Sequence, residues 1–507
     1  MQKDPTRRIV INSISLYTNM VVTMIVSLIG TRFALKALGE EKYAVYALVA
    51  NIVALFSFLN VAMASATQRF LSYSLGTNDK DKIKDIFYNS TVIHFIIASI
   101  SATAILAFGI PAVRCWLEIP QNMHFEATII LLTIVCSVIF TIFSVPYEAA
   151  MNAHEDISSI AAINILEALW KLSAAISILF IEQNRLIIYS VIVMTAFIVS
   201  YSCKRTFCRK KYEETHFKWK KINDTTLLKQ MTGYAGWNLI GNGCSIVRYQ
   251  GVSIILNIFY KLTYNAGYGI AQQFNGFLLF FTNSIVRPMR PHIIKSEGAG
   301  RHNEMIRYSM TTSKLTTLML AFIMIPLYIN MPYILEIWLD NVPQGALAFC
   351  RGFLIITIIG QLTIGQQIAL ESVGRIKKQH IILGAMHLTP LIVSVILFYF
   401  KAPYQSIIFC IIVEEILNIG IRTIIAKKDA GSPVIAFIKE TLVPCCSSIA
   451  ICFLLTHFAT AAIDNHITKL ATSIGVNTLL LGMCSAMLCL NKWEKEKIYS
   501  LLRKRST

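Results

Sequence analysis

Charge is scarce in this sequence. Asp, Glu, Lys and Arg make up 15% of its 507 residues, whereas soluble domains run near ~25%. So large a shortfall excludes an ordinary cytosolic enzyme. Proline (13) and glycine (24) are modest while hydrophobic residues reach 55%, which excludes a disordered chain. The 12 cysteines contain no CxxC pair, no Cys/His ligand spacing and no disulfide-like framework, so no metal site is expected. Most of them, such as Cys136, Cys410 and Cys452, lie in apolar runs and read as small core residues. No GxxxxGK[ST] loop occurs, so a P-loop nucleotide site is not encoded, and no cofactor is expected. A cleavable leader is not expected either. Lys3, Arg7 and Arg8 precede a long first apolar run that lacks a short hydrophobic core and a small-residue cleavage site.

What the sequence has in abundance is apolar length. Mean hydropathy is +0.58, and fourteen runs are long enough to span a bilayer, for which about 20 apolar residues suffice. They cover roughly 9–36, 43–68, 86–110, 125–150, 157–181, 185–203 and 228–258 in the first part of the chain. The others cover roughly 263–287, 307–329, 345–371, 379–400, 404–425, 440–461 and 469–490. In lipid every backbone polar group must be satisfied within its own segment, so these are expected to be helices. The ~10-residue alternation of a membrane β-barrel is missing.

Lys and Arg test the count. There are 46 of them against 28 acids, a net charge of +18. With the N-terminus cytoplasmic, the segments on the inside carry 33 and the outside loops carry 7, the bias the positive-inside rule requires. Losing one span would reverse the sign of every later loop. The excess of basic residues is therefore expected to meet anionic membrane lipid, and nucleic acid is not expected as a partner. The expectation is an all-α polytopic protein with both termini cytoplasmic and about fourteen transmembrane helices.

The longest polar interruption, 203–224, divides six spans from eight. An offset of 222 residues sets Lys42-Tyr43-Ala44-Val45-Tyr46-Ala47 against Tyr264-Asn265-Ala266-Gly267-Tyr268-Gly269, a faint repeat of the kind transporters carry. The expected layout is a six-helix lobe over 1–205, a basic linker over 206–227 and a second six-helix lobe over 228–426. An additional helix pair over 440–490 and a basic tail over 491–507 complete it.

Within the first lobe, residues 31–48 (TRFALKALGEEKYAVYAL) are followed by Phe56-Ser57-Phe58-Leu59-Asn60 and by Ala66-Thr67-Gln68-Arg69-Phe70-Leu71-Ser72. Together with Ser144-Val145-Pro146-Tyr147-Glu148, this stretch resembles the bacterial polysaccharide-biosynthesis membrane proteins. These are the O-antigen (Wzx-type) flippases of the multidrug/oligosaccharidyl-lipid/polysaccharide exporter superfamily. The resemblance is concentrated in the first 76 residues. It implies a two-lobed helical transporter of the bacterial inner membrane, serving surface polysaccharide and lipopolysaccharide assembly. Its cargo would be an undecaprenyl-pyrophosphate-linked oligosaccharide, and other glycan-assembly membrane proteins would be its partners.

Polar residues inside the spans are the candidate site, because a charge near the bilayer centre costs about 2.5–3.5 kcal/mol on insertion scales. In span five, Asn164, Glu167 and Lys171 share one helix face, and Glu167 with Lys171 has the spacing of an ion pair. They are either a structural pair or cavity groups that bind phosphate or a coupling ion. In span seven, Asn238, Asn242, Ser245 and Tyr249 fall within an arc of about 60°, with Arg248 on its flank as a candidate bidentate phosphate ligand. Span eight contributes Gln272 and span one Asn19. Arg32, near the end of span one, either snorkels or touches substrate. Glu414 and Glu415, in mid-span twelve beside Asn418, are candidates together with Glu167 for ion coupling. A lipid-linked oligosaccharide flippase is the leading expectation and a drug/cation antiporter of the same superfamily the alternative. The outside loops are too short to house an enzyme's acceptor site, so catalysis is not expected.

Overall fold

The computed structural model describes residues 5–54, 58–111, 113–114, 121–216, 225–339, 342–491 and 494–496. Among these residues there are helices and turns and no strand. The helices are α1 (Pro5–Ala54), α2 (Phe58–Thr77), α3 (Lys80–Pro111), α4 (His124–Ala153), α5 (Ile157–Ser177), α6 (Arg185–Lys211) and α7 (Thr225–Gly298). After them come α8 (His302–Ile329), α9 (Met331–Trp338), α10 (Ala346–Gln361), α11 (Ile364–Val373), α12 (Lys377–Tyr399) and α13 (Ser406–Ala430). The last three are α14 (Val434–Phe437), α15 (Val443–Ala461) and α16 (His466–Cys484).

Two of these helices hide span boundaries. α1 is 50 residues long but breaks at Gly39, where φ is 78° and ψ is 166°, a backbone conformation that glycine adopts at no steric cost. The break separates the first expected span from the second, which is carried by the remainder of α1 and by α2. α7 contains 74 residues and would be ~110 Å long if straight, several times the ~30 Å hydrocarbon thickness. It is not straight. The Tyr268 hydroxyl and the Gln272 amide both donate to the carbonyl of Tyr249, each at 3.3 Å, although residues 19 apart in a straight helix lie ~28 Å apart. The segment therefore doubles back into two antiparallel arms, and Val252 and Leu256 of one arm share a core with Tyr268 and Ala271 of the other. This reversal lies where the sequence ends span seven and begins span eight. Span ten is α10 and α11 together, bent by 43° at the break between them. The described residues of all fourteen expected spans thus fall on helical segments, and nine helices among them are long and apolar enough to cross a bilayer.

The chain divides into two compact units, 1–239 and 240–507. In the first, Ile105 of α3, Ile130 and Leu131 of α4, and Leu186 of α6 form one fully buried cluster. In the second, Phe349 and Leu354 of α10 pack with Leu320 of α8 and Ile407 of α13. Outward-facing positions are equally apolar: Phe180, Ile258, Phe409, Ile424 and Leu479 are all exposed. Exposed apolar surface on this scale suits lipid rather than water.

A polar clasp closes the basic end of the first unit. The His154 ring stacks on Tyr212 at 4.0 Å, and its Nε2 lies 2.6 Å from Glu214 Oε1. Asp156 receives both the Tyr212 hydroxyl and Lys211 Nζ. Burial pushes the Glu214 carboxyl up, but the hydrogen bond and charge of His154 outweigh this and hold it below the usual carboxylate range. A depressed carboxyl stabilises the fold above its unfolded pKa, about 4.3, and that contribution disappears as pH falls through the folded value. Thermal midpoints in detergent should therefore fall more steeply on acidification for the wild type than for Glu214→Gln. Parallel acid limbs would show that the clasp contributes nothing.

Candidate functional site

The second unit gathers the charged residues of spans seven and twelve into one buried cluster. α13 explains why they face inward. Glu414, Glu415 and Asn418 are buried on the face turned towards α10, α11 and α12, whereas Phe409, Ile416, Leu417 and Ile424 of the same helix are exposed. Arg248 comes from the first arm of α7, which closely approaches α12; a Cβ on Gly251 would lie 2.8 Å from Leu391 Cδ1.

The geometry is tight. Arg248 Nη1 donates to Glu414 Oε2 at 2.5 Å and to Glu415 Oε1 at 2.8 Å. Asn418 Nδ2 donates to Glu414 Oε1 at 2.6 Å, and His387 Nδ1 of α12 lies 2.7 Å from the same oxygen. The Arg248 guanidinium also sits 5.1 Å from the Tyr249 ring centre, a cation–π distance. One helical turn beyond Asn418, Arg422 donates to Thr363 Oγ1 at 2.5 Å and feels the charges of Glu415, Glu371 and Glu414. Charges this deeply buried persist only when paired and hydrogen-bonded, and here the Arg248 guanidinium is paired with both carboxylates. Glu414, one of these carboxylates, also forms part of the wall of a pocket of about 300 Å³ between α12 and α13.

His387, Glu414 and Glu415 bring one nitrogen and two carboxylate oxygens to within 4.8 Å of one another, close enough to share a cation. Arg248 Nη1 already contacts both carboxylates, so a metal ion would have to displace a guanidinium. A proton on either carboxylate needs no such displacement. Of this group, Arg248, Glu414 and Glu415 stand out in the sequence as charges in apolar spans, whereas His387 does not. A single histidine in an apolar run is an ordinary core residue until its neighbour is known.

The other candidate residues are scattered over both units. Tyr249 and Gln272 meet through the hydrogen bond that folds α7 on itself. Asn242 is exposed and Asn238 is buried, the Asn238 Nδ2 having no hydrogen-bond partner among the described residues. In the first unit, Lys171 Nζ donates to Glu167 Oε1 at 2.7 Å and lies 4.0 Å from the Phe197 ring centre. α5 exposes Leu166, Leu169 and Trp170 on one face and holds Lys171, Glu167 and Asn164 half-buried on another. The first suits acyl chains and the second suits water. Asn19 is buried with an unpartnered Oδ1 among the described residues, and Arg32 is exposed. Both mid-span cations considered as phosphate ligands, Arg248 and Lys171, are thus already paired with carboxylates.

Comparison with known proteins supplies a fold. Residues 15–176 match the MatE family model. Among solved structures, a MATE in its bent conformation superposes with a TM-score of 0.72 at 11% identity, covering 86% of this chain and 97% of the other. The fold is that of a MATE transporter. An outward-facing multidrug resistance MATE transporter of the MOP superfamily gives a TM-score of 0.69 at 11% identity, over 87% of this chain and 98% of its own. A MOP-superfamily transporter from Pyrococcus furiosus, described as having a binding pocket of reversed polarity, gives 0.71 at 10% identity, over 86% and 98%. No curated protein matches the sequence. The MATE fold agrees with the expected all-helical membrane protein. The structural likenesses carry the fold alone, and the finer Wzx-type assignment goes beyond what they cover.

Proposed function

We propose that the protein is a proton-coupled MATE-type exporter whose coupling site is the Arg248–Glu414–Glu415–His387 cluster. The observation that carries this reading is the sharing of one guanidinium nitrogen between two buried carboxylates, at 2.5 and 2.8 Å. Protonating one carboxylate removes one of these contacts and leaves Arg248 held by the other. The proton thereby biases the packing of the first arm of α7 against α13, and a ligand that discriminates between two packings shifts their populations. His387 touches the same carboxylate as Asn418 and is placed to exchange that proton.

The cargo favoured by this site is an amphipathic organic cation moved by antiport. Arg248 and Lys171 are neutralised by their own carboxylates, which leaves neither to grip a pyrophosphate, and a multidrug resistance transporter stands among the structural neighbours. The second reading, a flippase for lipid-linked oligosaccharide, is favoured by the resemblance of residues 31–72 and by the half-buried polar face of α5, which would hydrate sugars.

The test is transport by reconstituted vesicles. An imposed pH gradient should drive movement of a fluorescent organic cation by the wild type, and Glu414→Gln should lose the gradient-driven component at least tenfold while remaining folded. Full gradient-driven activity in that variant would remove the coupling assignment. Restoration of a surface glycan in flippase-deficient cells, with no cation transport, would select the second cargo.

A further inference from the structure

The first unit has a pocket of its own. It measures about 360 Å³ and lies over α4, between α3 and α6. Its apolar part is a run of aromatic rings. Phe95 and Phe143 stack with centres 5.9 Å apart and planes 5° from parallel, and Tyr201 packs against Phe143 at 6.4 Å and Tyr147 at 5.9 Å. Phe95 is half exposed, so the pocket opens onto the apolar outer surface of the unit.

Its other part is basic. Arg205 and Arg209, one helical turn apart on α6, both line it. Two neighbouring cations have acids of their own: Lys204 pairs with Glu148 at 2.9 Å and Lys211 with Asp156 at 2.6 Å. Among the described residues Arg205 and Arg209 make no ion pair, and Arg205 Nε is buried with no hydrogen-bond partner. A buried guanidinium nitrogen left this way calls for an acceptor, because an unmade charged hydrogen bond is costly. His94 supplies a third group. Its Nδ1 lies 2.7 Å from the Ser90 carbonyl, which only accepts, so Nδ1 carries the hydrogen and in the neutral ring Nε2 is a bare acceptor. That Nε2 is buried with no partner among the described residues.

We propose that this pocket binds an anionic phospholipid, its phosphate on Arg205 and Arg209 and one acyl chain along Phe95 and Phe143. Three features fit such a molecule together: paired guanidinia for a phosphate, an aromatic wall open to the bilayer, and an unprotonated imidazole nitrogen that accepts from a headgroup hydroxyl. Free phosphate would leave the aromatic wall and His94 unused. The pocket lies at the Lys/Arg-rich end of α6, the side the positive-inside rule makes cytoplasmic, where anionic lipid is concentrated.

Native mass spectrometry of the purified full-length protein tests this, with phosphatidylglycerol and phosphatidylcholine of identical acyl chains. The wild type should retain phosphatidylglycerol at least tenfold more strongly, and the Arg205→Gln/Arg209→Gln variant should lose that preference. Arg209→Gln alone, at an exposed position, should lose about threefold, as expected from one of two charge-assisted contacts. Thermal midpoints in phosphatidylcholine nanodiscs would confirm that the variants are folded. Equal retention of the two lipids by the wild type, an unchanged preference in the double variant, or displacement of bound lipid by millimolar inorganic phosphate would each overturn the proposal.

Discussion

Replacing Arg248 by methionine should lower stability by about 3–5 kcal/mol, because it strands Glu414 and Glu415 beside each other in the interior without their counter-charge. Both carboxylates are nearly inaccessible, at 1% and 11% side-chain exposure, so solvent cannot take the place of the guanidinium. The midpoint of thermal unfolding in detergent should fall sharply, and transport with it. A companion variant separates structure from mechanism. In Arg248→Met/Glu414→Gln/Glu415→Gln the Arg248 guanidinium and both of its carboxylates disappear together while Arg422 keeps its charge, and much of the lost stability should return, since removing a buried ion pair whole is often neutral. Gradient-driven transport should stay absent. Recovery of coupled transport in the triple variant would show that the cluster is only a structural tie.

The second large effect belongs to Gly365, in the first turn of α11. A Cβ there would lie 1.8 Å from the carbonyl oxygen of Ser309 and 2.6 Å from its carbon, and backbone atoms cannot yield as a flexible side chain does. The same position is held by its own N–H donating to Ser313 Oγ at 2.9 Å. Gly365→Ala must therefore push α11 away from α8, and overpacking of this kind costs about 1–3 kcal/mol or more. Gly360, nearby on α10, has open space where a Cβ would stand, with no neighbour within 4 Å among the described residues. Gly360→Ala should therefore be harmless, with a midpoint within a few degrees of wild type. Equal behaviour of the two variants would mean that the α8–α11 contact is looser than these distances imply.

How much of this was legible in the sequence depends on whether the signal is local. Span positions were legible, because lipid demands an apolar helix of known length. The helical continuity through α7 was not. Periodicity reports burial along one axis, and only the contact of Tyr249 with Tyr268 and Gln272 reveals that the axis turns back. The candidate charges were legible as residue types that lipid would exclude, and Glu167 with Lys171 even as a pair, since four residues is a helical neighbour distance. The union of Arg248 with Glu414 was hidden by a sequence separation of 166 residues. Lys314 shows the same limit. Near the end of a span it reads as a boundary residue, yet its Nζ is buried against Glu494 at 2.6 Å, a partner outside every apolar run.

The doubling of α7 ties two neighbouring residues to two different places. The side chain of Arg248 is anchored to α13, while the carbonyl of Tyr249, one peptide unit on, is clamped by the returning arm of its own helix. Under the proposed coupling, a shift at the carboxylates would pass through a single peptide plane into the hairpin. Labels attached on the returning arm near Gln272 would register whether Glu414 is protonated without touching it.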